Sequence, residues 1–296
     1  MRPATRVVLA LVVLLAGCSG PGREAREARW TEIFRDDFSG AAGSPLPQGW
    51  LHDLGTCYPG CPAPRWGTGE IETMTDSTEN VSLDGAGNLA ITPLLREGAW
   101  TSGRVETARS DFRPPPGGVL RVEARIRLPA VTPADGAGYW PAFWMLGAPL
   151  RDGYTGWPAI GEIDVMEAVN GRPSVMAAMH CGVMPGGPCG EPSGIGSGER
   201  PCPSCHGSFH RYTVEIDEKE IRWYLDDAPV LTVAATRMDP QTWGRATAHG
   251  FFLILNVAVG GGLPNAFGGG PTPATVPGRP MLIDYVSVKT KPAPKA

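Results

Sequence analysis

The sequence predicts an all-β sandwich of antiparallel sheets, and three observations carry that prediction. Apolar and polar residues alternate with a period of two in one stretch after another, the spacing of strands buried on one face. Helical periodicity is hard to find beyond the first eighteen residues. Gly and Pro, 40 and 31 of the 296 residues, fall between the alternating runs as turn punctuation. Many short strands with frequent turns fit a single sandwich rather than a layered α/β fold.

The chain opens on MRPATRVVLALVVLLAGC (1–18), with a basic start at Arg2 and Arg6 and an apolar run from Val7 to Leu15. That run is too short for a bilayer, which needs about 20 residues, and it fits a secretory signal. Its end, Leu15-Ala16-Gly17-Cys18, resembles the lipobox of bacterial lipoproteins. The resemblance implies cleavage before Cys18 and lipid on its thiol, against the alternative of an ordinary signal with a chance Cys. Residues 1–17 are then a signal peptide and 18–29 a polar, lipid-anchored tether (SGPGREAREAR after Cys18). The folded domain is expected over 30–291, with a short tail at 292–296. The expected location is the outer face of a bacterial membrane, held by lipid alone.

Within the domain, VLRVEARIRL (119–128) sets Leu120, Val122, Ala124, Ile126 and Leu128 against charged Arg121, Glu123, Arg125 and Arg127. That is a half-buried antiparallel strand. YTVEI (212–216), IRWYL (221–225) and PVLTV (229–233), separated by DEKE and DDA, predict consecutive hairpins. FFLILNVAV (251–259) is apolar almost throughout and predicts a strand buried on both faces. Its Asn256 is a polar exception that needs hydrogen-bond partners. MLIDYVSV (281–288) is the last strand. The segments 57–69, 181–206 and 260–280 are long enough to be functional or to need pinning.

Charge narrows the partners. The formal net charge is −4, and loss of residues 1–17, with two Arg and no acid, leaves −6. No Lys/Arg block suggests nucleic acid, so none is expected as a partner. Six Cys remain beyond Cys18, an even number that favours disulfides in an exported protein, although six permit 15 connectivities. The local pairs 57–61, 181–189 and 202–205 are one guess among these. CPSCHGSFH (202–210) could mimic a zinc site, but its spacing is tight for one and the compartment is oxidising.

The stretch GEIDVMEAVN (161–170) carries the chemistry. Glu162, Asp164 and Glu167 stand in an otherwise apolar, strand-like run. Glu162 and Asp164 share one face, whereas Glu167 has the wrong parity. It rejoins them only if one residue is extruded as a β-bulge, a device frequent beside active sites. The plain alternative is an acidic edge strand facing solvent. Just upstream, GYWPAFWML (138–146) places Trp140 and Trp144 four apart. They are either core aromatics or platforms for the apolar face of a pyranose. Glycoside hydrolysis needs two carboxyl groups flanking the scissile bond, with one of them protonated.

At these residues the chain resembles glycoside hydrolase family 16 in its laminarinase-like, endo-β-1,3-glucanase branch. Glu162-Ile163-Asp164-Val165-Met166-Glu167 matches the bulged E-I-D-x-x-E signature. WPAFWML precedes it as in family laminarinases. NLAIT (88–92), SGRVET (102–107), LNVAVGG (255–261) and IDYVSV (283–288) follow the family's order, so the resemblance spans roughly residues 30–290. It implies a concanavalin-like β-jelly-roll sandwich of two antiparallel sheets with a concave substrate cleft. It also implies retention of anomeric configuration. Carried onto this chain, Glu162 is the nucleophile, Asp164 the assisting carboxylate and Glu167 the general acid/base. Trp140 and Trp144 are expected as substrate platforms, and His180, in MAAMHCG, faces the cleft. Asn256, Arg104 and Glu72 are further substrate-binding candidates, Asn256 and Arg104 having structural roles as the alternative. No cofactor is expected for catalysis. Asp284 matches the carboxylate of a structural calcium site in many members. A polysaccharide is the expected partner and a monomer the expected state.

Rival readings remain at this point. A non-catalytic glycan-binding module shares such a fold, but the intact acid triad argues against it. Serine-hydrolase, zincin and nucleotide-binding motifs are missing from the sequence. Within the family, β-1,3-galactan, mixed-linkage glucan or transglycosylation stay open.

Overall fold

The structure, a computed structural model, describes residues 29–294. The expected signal, Cys18 and most of the expected tether lie outside the described residues. Two eight-stranded antiparallel sheets carry the fold, with a small three-stranded sheet beside them. One, the acid sheet, runs Ile195–Gly196, Ser174–His180, Glu162–Glu167, Tyr139–Gly147, Phe251–Val259, Arg104–Thr107, Trp50–His52. The other, the support sheet, runs Ala228–Ala234, Glu220–Leu225, His210–Ile216, Val119–Arg127, Met281–Lys291, Leu89–Ile91, Val81–Leu83. Thr31–Asp36 pairs with Met281–Lys291, and Arg200–Pro201 with Ser174–His180.

The alternating sequence explains the layering. In Val119–Arg127 every second residue, Leu120 through Ile126, is buried, and the charged residues between them are partly exposed. His210–Ile216, Glu220–Leu225 and Ala228–Ala234 pair in succession as the expected hairpins. Asp226 and Asp227 make the second turn with positive φ, which Asp tolerates better than most residues. Phe251–Val259 is buried at all nine positions, because Phe251, Leu253, Leu255 and Val257 lie in the main core while Phe252 and Ile254 pack in a cluster on the other face. Leu120, Val122, Val214 and Trp223 of the support sheet meet Phe143, Met145, Ile163 and Leu255 of the acid sheet in one core. A second cluster, Leu146, Leu150, Phe252 and Ile254, lies apart from it and includes Trp144 and Tyr58 at its margin.

Two of the three long segments, 57–69 and 181–206, are pinned locally, with disulfides Cys57–Cys61, Cys181–Cys189 and Cys202–Cys205. The last of these removes both thiolates that a zinc ion at CPSCHGSFH would need. The helix Pro240–Thr247, like the shorter Gly262–Ala266, goes beyond the expected all-β pattern. Asp239 caps it, accepting from the amides of Gln241 at 3.0 Å and Thr242 at 2.9 Å, and Pro240 sits at its first turn.

Candidate active site

The acid strand is bulged where the sequence requires it. Against Tyr139–Gly147, Ala142 faces Glu167, Phe143 faces Met166 and Trp144 faces Asp164, so Val165 has no partner. Against Ser174–His180, Asp164 pairs with Ala178 and Glu167 with Met176, again leaving one extra residue. Val165 and Met166 consequently both point into the main core beside Ile163. Glu162, Asp164 and Glu167 share the opposite face. The extra residue restores parity, as the offset of five demands.

Three carboxylates on one face repel, and the surroundings offset this unequally. Burial, with the neighbouring Asp164 charge, pushes the carboxyls of Glu162 and Glu167 up to about 8 each. Trp157 Nε1 donates to Glu162 Oε2 at 2.9 Å, and Trp140 Nε1 donates to Glu167 Oε1 at 2.9 Å. His180 supplies the local cation. Its Nε2 lies 3.3 Å from Asp164 Oδ2 and 3.9 Å from Glu162 Oε1, while Nδ1 is 2.7 Å from Glu191 Oε2. Burial opposes the charged ring, but the nearby Asp164 carboxylate, the hydrogen bond to Glu191 and the charge of Glu162 outweigh it and push His180 up to about 12. Glu162, Asp164 and His180 bring one donor atom each within 4.8 Å of one another, the spacing of a small cation site. The charge between these carboxylates is supplied by the imidazolium itself.

A wall of aromatic rings continues the face. Trp144 Nε1 donates to Asn256 Oδ1 at 2.7 Å. The Arg104 guanidinium sits 4.7 Å from the Trp144 ring centroid, 4.4 Å from that of Trp66 and 5.1 Å from that of Tyr58. Arg104 Nε donates to Asp53 Oδ2 at 2.9 Å and Nη2 to the Tyr58 hydroxyl at 2.8 Å. Beyond it a cavity of about 480 Å³ is lined by Asp53, Leu54, Tyr58, Trp66, Glu106 and Tyr154.

The structure brings Glu162, Asp164, Glu167, His180, Trp140, Trp144 and Asn256 to one face, and it places Glu72, Arg104 and Asp284 otherwise than a substrate or calcium role requires. Glu72 is 0% exposed, and its Oε2 accepts from the Val259 amide at 2.8 Å. It lies beneath the surface beside Glu70, and burial followed by the Glu70 charge pushes it up to about 9. Arg104 is 4% exposed, with the two donors above already bound and three rings around it. It braces the aromatic wall and is not placed to offer itself to a sugar. Asp284 lies on the support sheet, and its carboxylate accepts from Arg125 Nη1 at 2.5 Å. A guanidinium on that carboxylate does not fit a calcium site, which wants 6–8 oxygens. Sequence reasoning missed Trp157, Glu191, Tyr58 and Trp66. The first two come from loops next to the signature, and proximity to Glu162 and Cys189 was the only signal for them.

Comparison with known proteins agrees with this geometry. Residues 130–186 match the family model described as "XgeA-like, catalytic GH16 domain". The chain is 32% identical over 286 residues to a beta-glucanase of Rhodothermus marinus, covering 94% of this chain and 92% of that protein. It is 30% identical over 259 residues to a glucan endo-1,3-beta-glucosidase of Cryptopygus antarcticus, covering 82% and 84% respectively. The crystal structure of an endo-1,3-beta-glucanase from Streptomyces sioyaensis is similar at a TM-score of 0.86 and 57% identity, covering 88% of this chain and 96% of that one. The laminarinase of Rhodothermus marinus gives 0.69 at 30% identity, covering 89% and 98%. The fold is thus the jelly-roll sandwich. With near full-length relatives on both counts, the chain belongs to glycoside hydrolase family 16.

Proposed function

We propose that this chain is a retaining endo-β-1,3-glucanase in which Glu162 is the nucleophile, Glu167 the general acid/base and Asp164 the assisting carboxylate. One observation carries the division of roles: the His180 cation is shared unequally. Its Nε2 stands 3.9 Å from Glu162, whereas no such contact is made with Glu167. When the pair loses its first proton, the charge settles on Glu162 and the proton stays on Glu167. Asp164, 3.3 Å from the same nitrogen, keeps His180 charged and oriented.

Ionised Glu162 attacks the anomeric carbon as the glycosidic C–O bond breaks, and Glu167 gives its proton to the leaving oxygen. A glycosyl ester forms on Glu162. Glu167, now a carboxylate, takes a proton from water, which attacks the anomeric carbon and releases Glu162. The Trp140 indole N–H binds one oxygen of Glu167, directing the proton to the other. Trp140 and Trp144 offer partly exposed rings for stacking sugars. The substrate class follows the relatives, whose names specify beta-glucan and 1,3-beta-glucan cleavage. Product analysis on laminarin, mixed-linkage glucan and β-1,3-galactan tests it. Release of β-configured oligosaccharides from laminarin first is expected, and preferential cleavage of galactan would overturn the substrate assignment.

The lipid anchor belongs to the same proposal. Cys18 at the end of Leu15-Ala16-Gly17 supports it. Cys18→Ser should move the protein from the membrane fraction to the soluble one, and an unchanged ratio would exclude lipid on that thiol.

A further inference from the structure

We infer that Glu191 is a positioning residue for the reaction, acting through His180, and that the Cys181–Cys189 disulfide holds it in place. This rests on the assignment of Glu162 and Glu167 above. Glu191 is buried although it belongs to a loop. Both of its oxygens are committed: Oε2 lies 2.7 Å from His180 Nδ1, and Oε1 accepts from the Cys181 amide at 2.8 Å. Glu191, just beyond the second cysteine, is thereby tied to the ring by one oxygen and to the Cys181 backbone by the other. Cys181 itself follows His180 directly at the end of the strand Ser174–His180. The disulfide to Cys189, two residues before Glu191, brings the loop back over the ring. Glu191 and Gly186 form a bridge that closes the same loop.

The groups that face His180 come from every side. Glu162 and Asp164 face it from the acid strand, and Glu191 from the disulfide loop. The Trp157 ring lies 5.8 Å from it. Gly194, at φ +67°, backs it so closely that an added Cβ would stand 2.9 Å from Cε1. The ring therefore has one orientation, Nδ1 to Glu191 and Nε2 to the cleft. A buried carboxylate on Nδ1 fixes the proton there and stabilises the imidazolium, as carboxylates do for catalytic and metal-bound histidines. Without Glu191 the ring loses charge, and the charge that favours ionised Glu162 goes with it.

The test uses Glu191→Gln in the full chain, with circular dichroism to check the fold. The amide cannot accept at both contacts, since one of its ends is a donor. Turnover on β-glucan is expected to fall about 10–100-fold, the usual loss on removing such a partner, with KM little changed. The acidic limb of the pH profile should move to higher pH, because Glu162 becomes harder to ionise. An activated aryl glycoside should lose as much as the polysaccharide, because the nucleophile serves both. Glu191→Asp, which keeps the charge on a shorter arm, should recover part of the loss.

A substrate-independent readout separates this inference from the substrate assignment. The ¹⁵N shifts of the His180 ring should report an imidazolium across the neutral range in the native protein and a titrating ring in Glu191→Gln. Replacing Cys181 and Cys189 together by Ser should change the ring in the same direction by less, and serves where Glu191→Gln does not fold. A ring that stays charged in these variants, or unaltered turnover and pH profile in Glu191→Gln, would overturn the inference. Native protein inert on β-glucan but with the expected ring titrations would overturn only the substrate assignment.

Discussion

Two charged faces of this molecule look alike in sequence and behave oppositely in the fold. On the support sheet, Arg121 lies 2.8 Å from Glu123 and 3.2 Å from Glu215, and Arg222 lies 3.0 Å from Asp217 and 2.5 Å from Glu220. Opposite charges stand along one strand, at its turn or across to the next strand, and lower one another's cost. For Glu123, burial is outweighed by hydrogen bonds from Arg121 and Tyr285, and the carboxyl sits below its ordinary range. On the acid strand three like charges stand together, largely buried, with one imidazolium among them. There the carboxyls of Glu162 and Glu167 sit well above their ordinary range. Alternation of charged and apolar residues identifies a strand in both cases. The sign of the charges and their burial tell scaffold from chemistry: paired charges hold a sheet in water, and unpaired like charges persist only where something uses them.

The sharpest way to break this contrast is Glu162→Gln. It removes a charge the fold does not need and a nucleophile the reaction does. Turnover should drop by on the order of 10⁴-fold or more, with binding of oligosaccharides retained. Measurable turnover within about tenfold of the native protein would show that Glu162 is no nucleophile.

Glu167→Ala is expected to be next in size and selective. Loss of acid assistance should cost about 10²–10⁴-fold on polysaccharide, and much less on aryl glycosides whose leaving groups depart without a proton. Equal losses on both would mean that Glu167 does not protonate the leaving oxygen.

How much of this was legible in the sequence follows from which contacts are local. Strand alternation is local, so Val119–Arg127 and its neighbours read correctly. The bulge was legible too, because it follows from the parity of Glu162, Asp164 and Glu167 alone. Glu72 did not read correctly and Arg104 takes the structural one of its two open readings, since parity fixes a face but not what covers it. The rings of Trp66 and Tyr58, from the segment pinned by Cys57–Cys61, close over Arg104. Helix Pro240–Thr247 is too short to establish a period, although its Asp-Pro start was present. Glu191 and Trp157 were invisible because their partners are reached through loop closure, which no periodicity records.

A pH experiment sharpens the comparison further. The folded-state value of Glu162, about 8, exceeds its ordinary 4.5, with burial as the first cause and Asp164 the next. The stability linked to this group is therefore fully present below about pH 4.5 and is lost as pH rises through about 8. Glu162→Gln, neutral at every pH, escapes that loss. Its melting temperature should equal the native one near pH 5 and exceed it near pH 9, by about 1–3 kcal/mol in stability. A variant less stable than the native protein at high pH would mean that the carboxylate is well solvated or paired. The acid face would then resemble the support sheet.

The smallest effect belongs to the support sheet itself, at Asp284. Its partner Arg125 is 41% exposed on its side chain and Asp284 33%, so water screens the pair. Exposed pairs of this kind contribute about 0–1 kcal/mol, and Asp284→Asn should change stability within that range and leave turnover untouched. The same variant examines the one cation this face was expected to hold. With Arg125 on the carboxylate, a chelator should shift the melting temperature of the native protein and of Asp284→Asn equally or not at all. A chelator-induced drop seen only in the native protein would mean that Arg125 yields to calcium in solution. The support face would then carry a bound ion that its ion pairs conceal, and the contrast between a self-neutralised scaffold and a charged site would have to be redrawn.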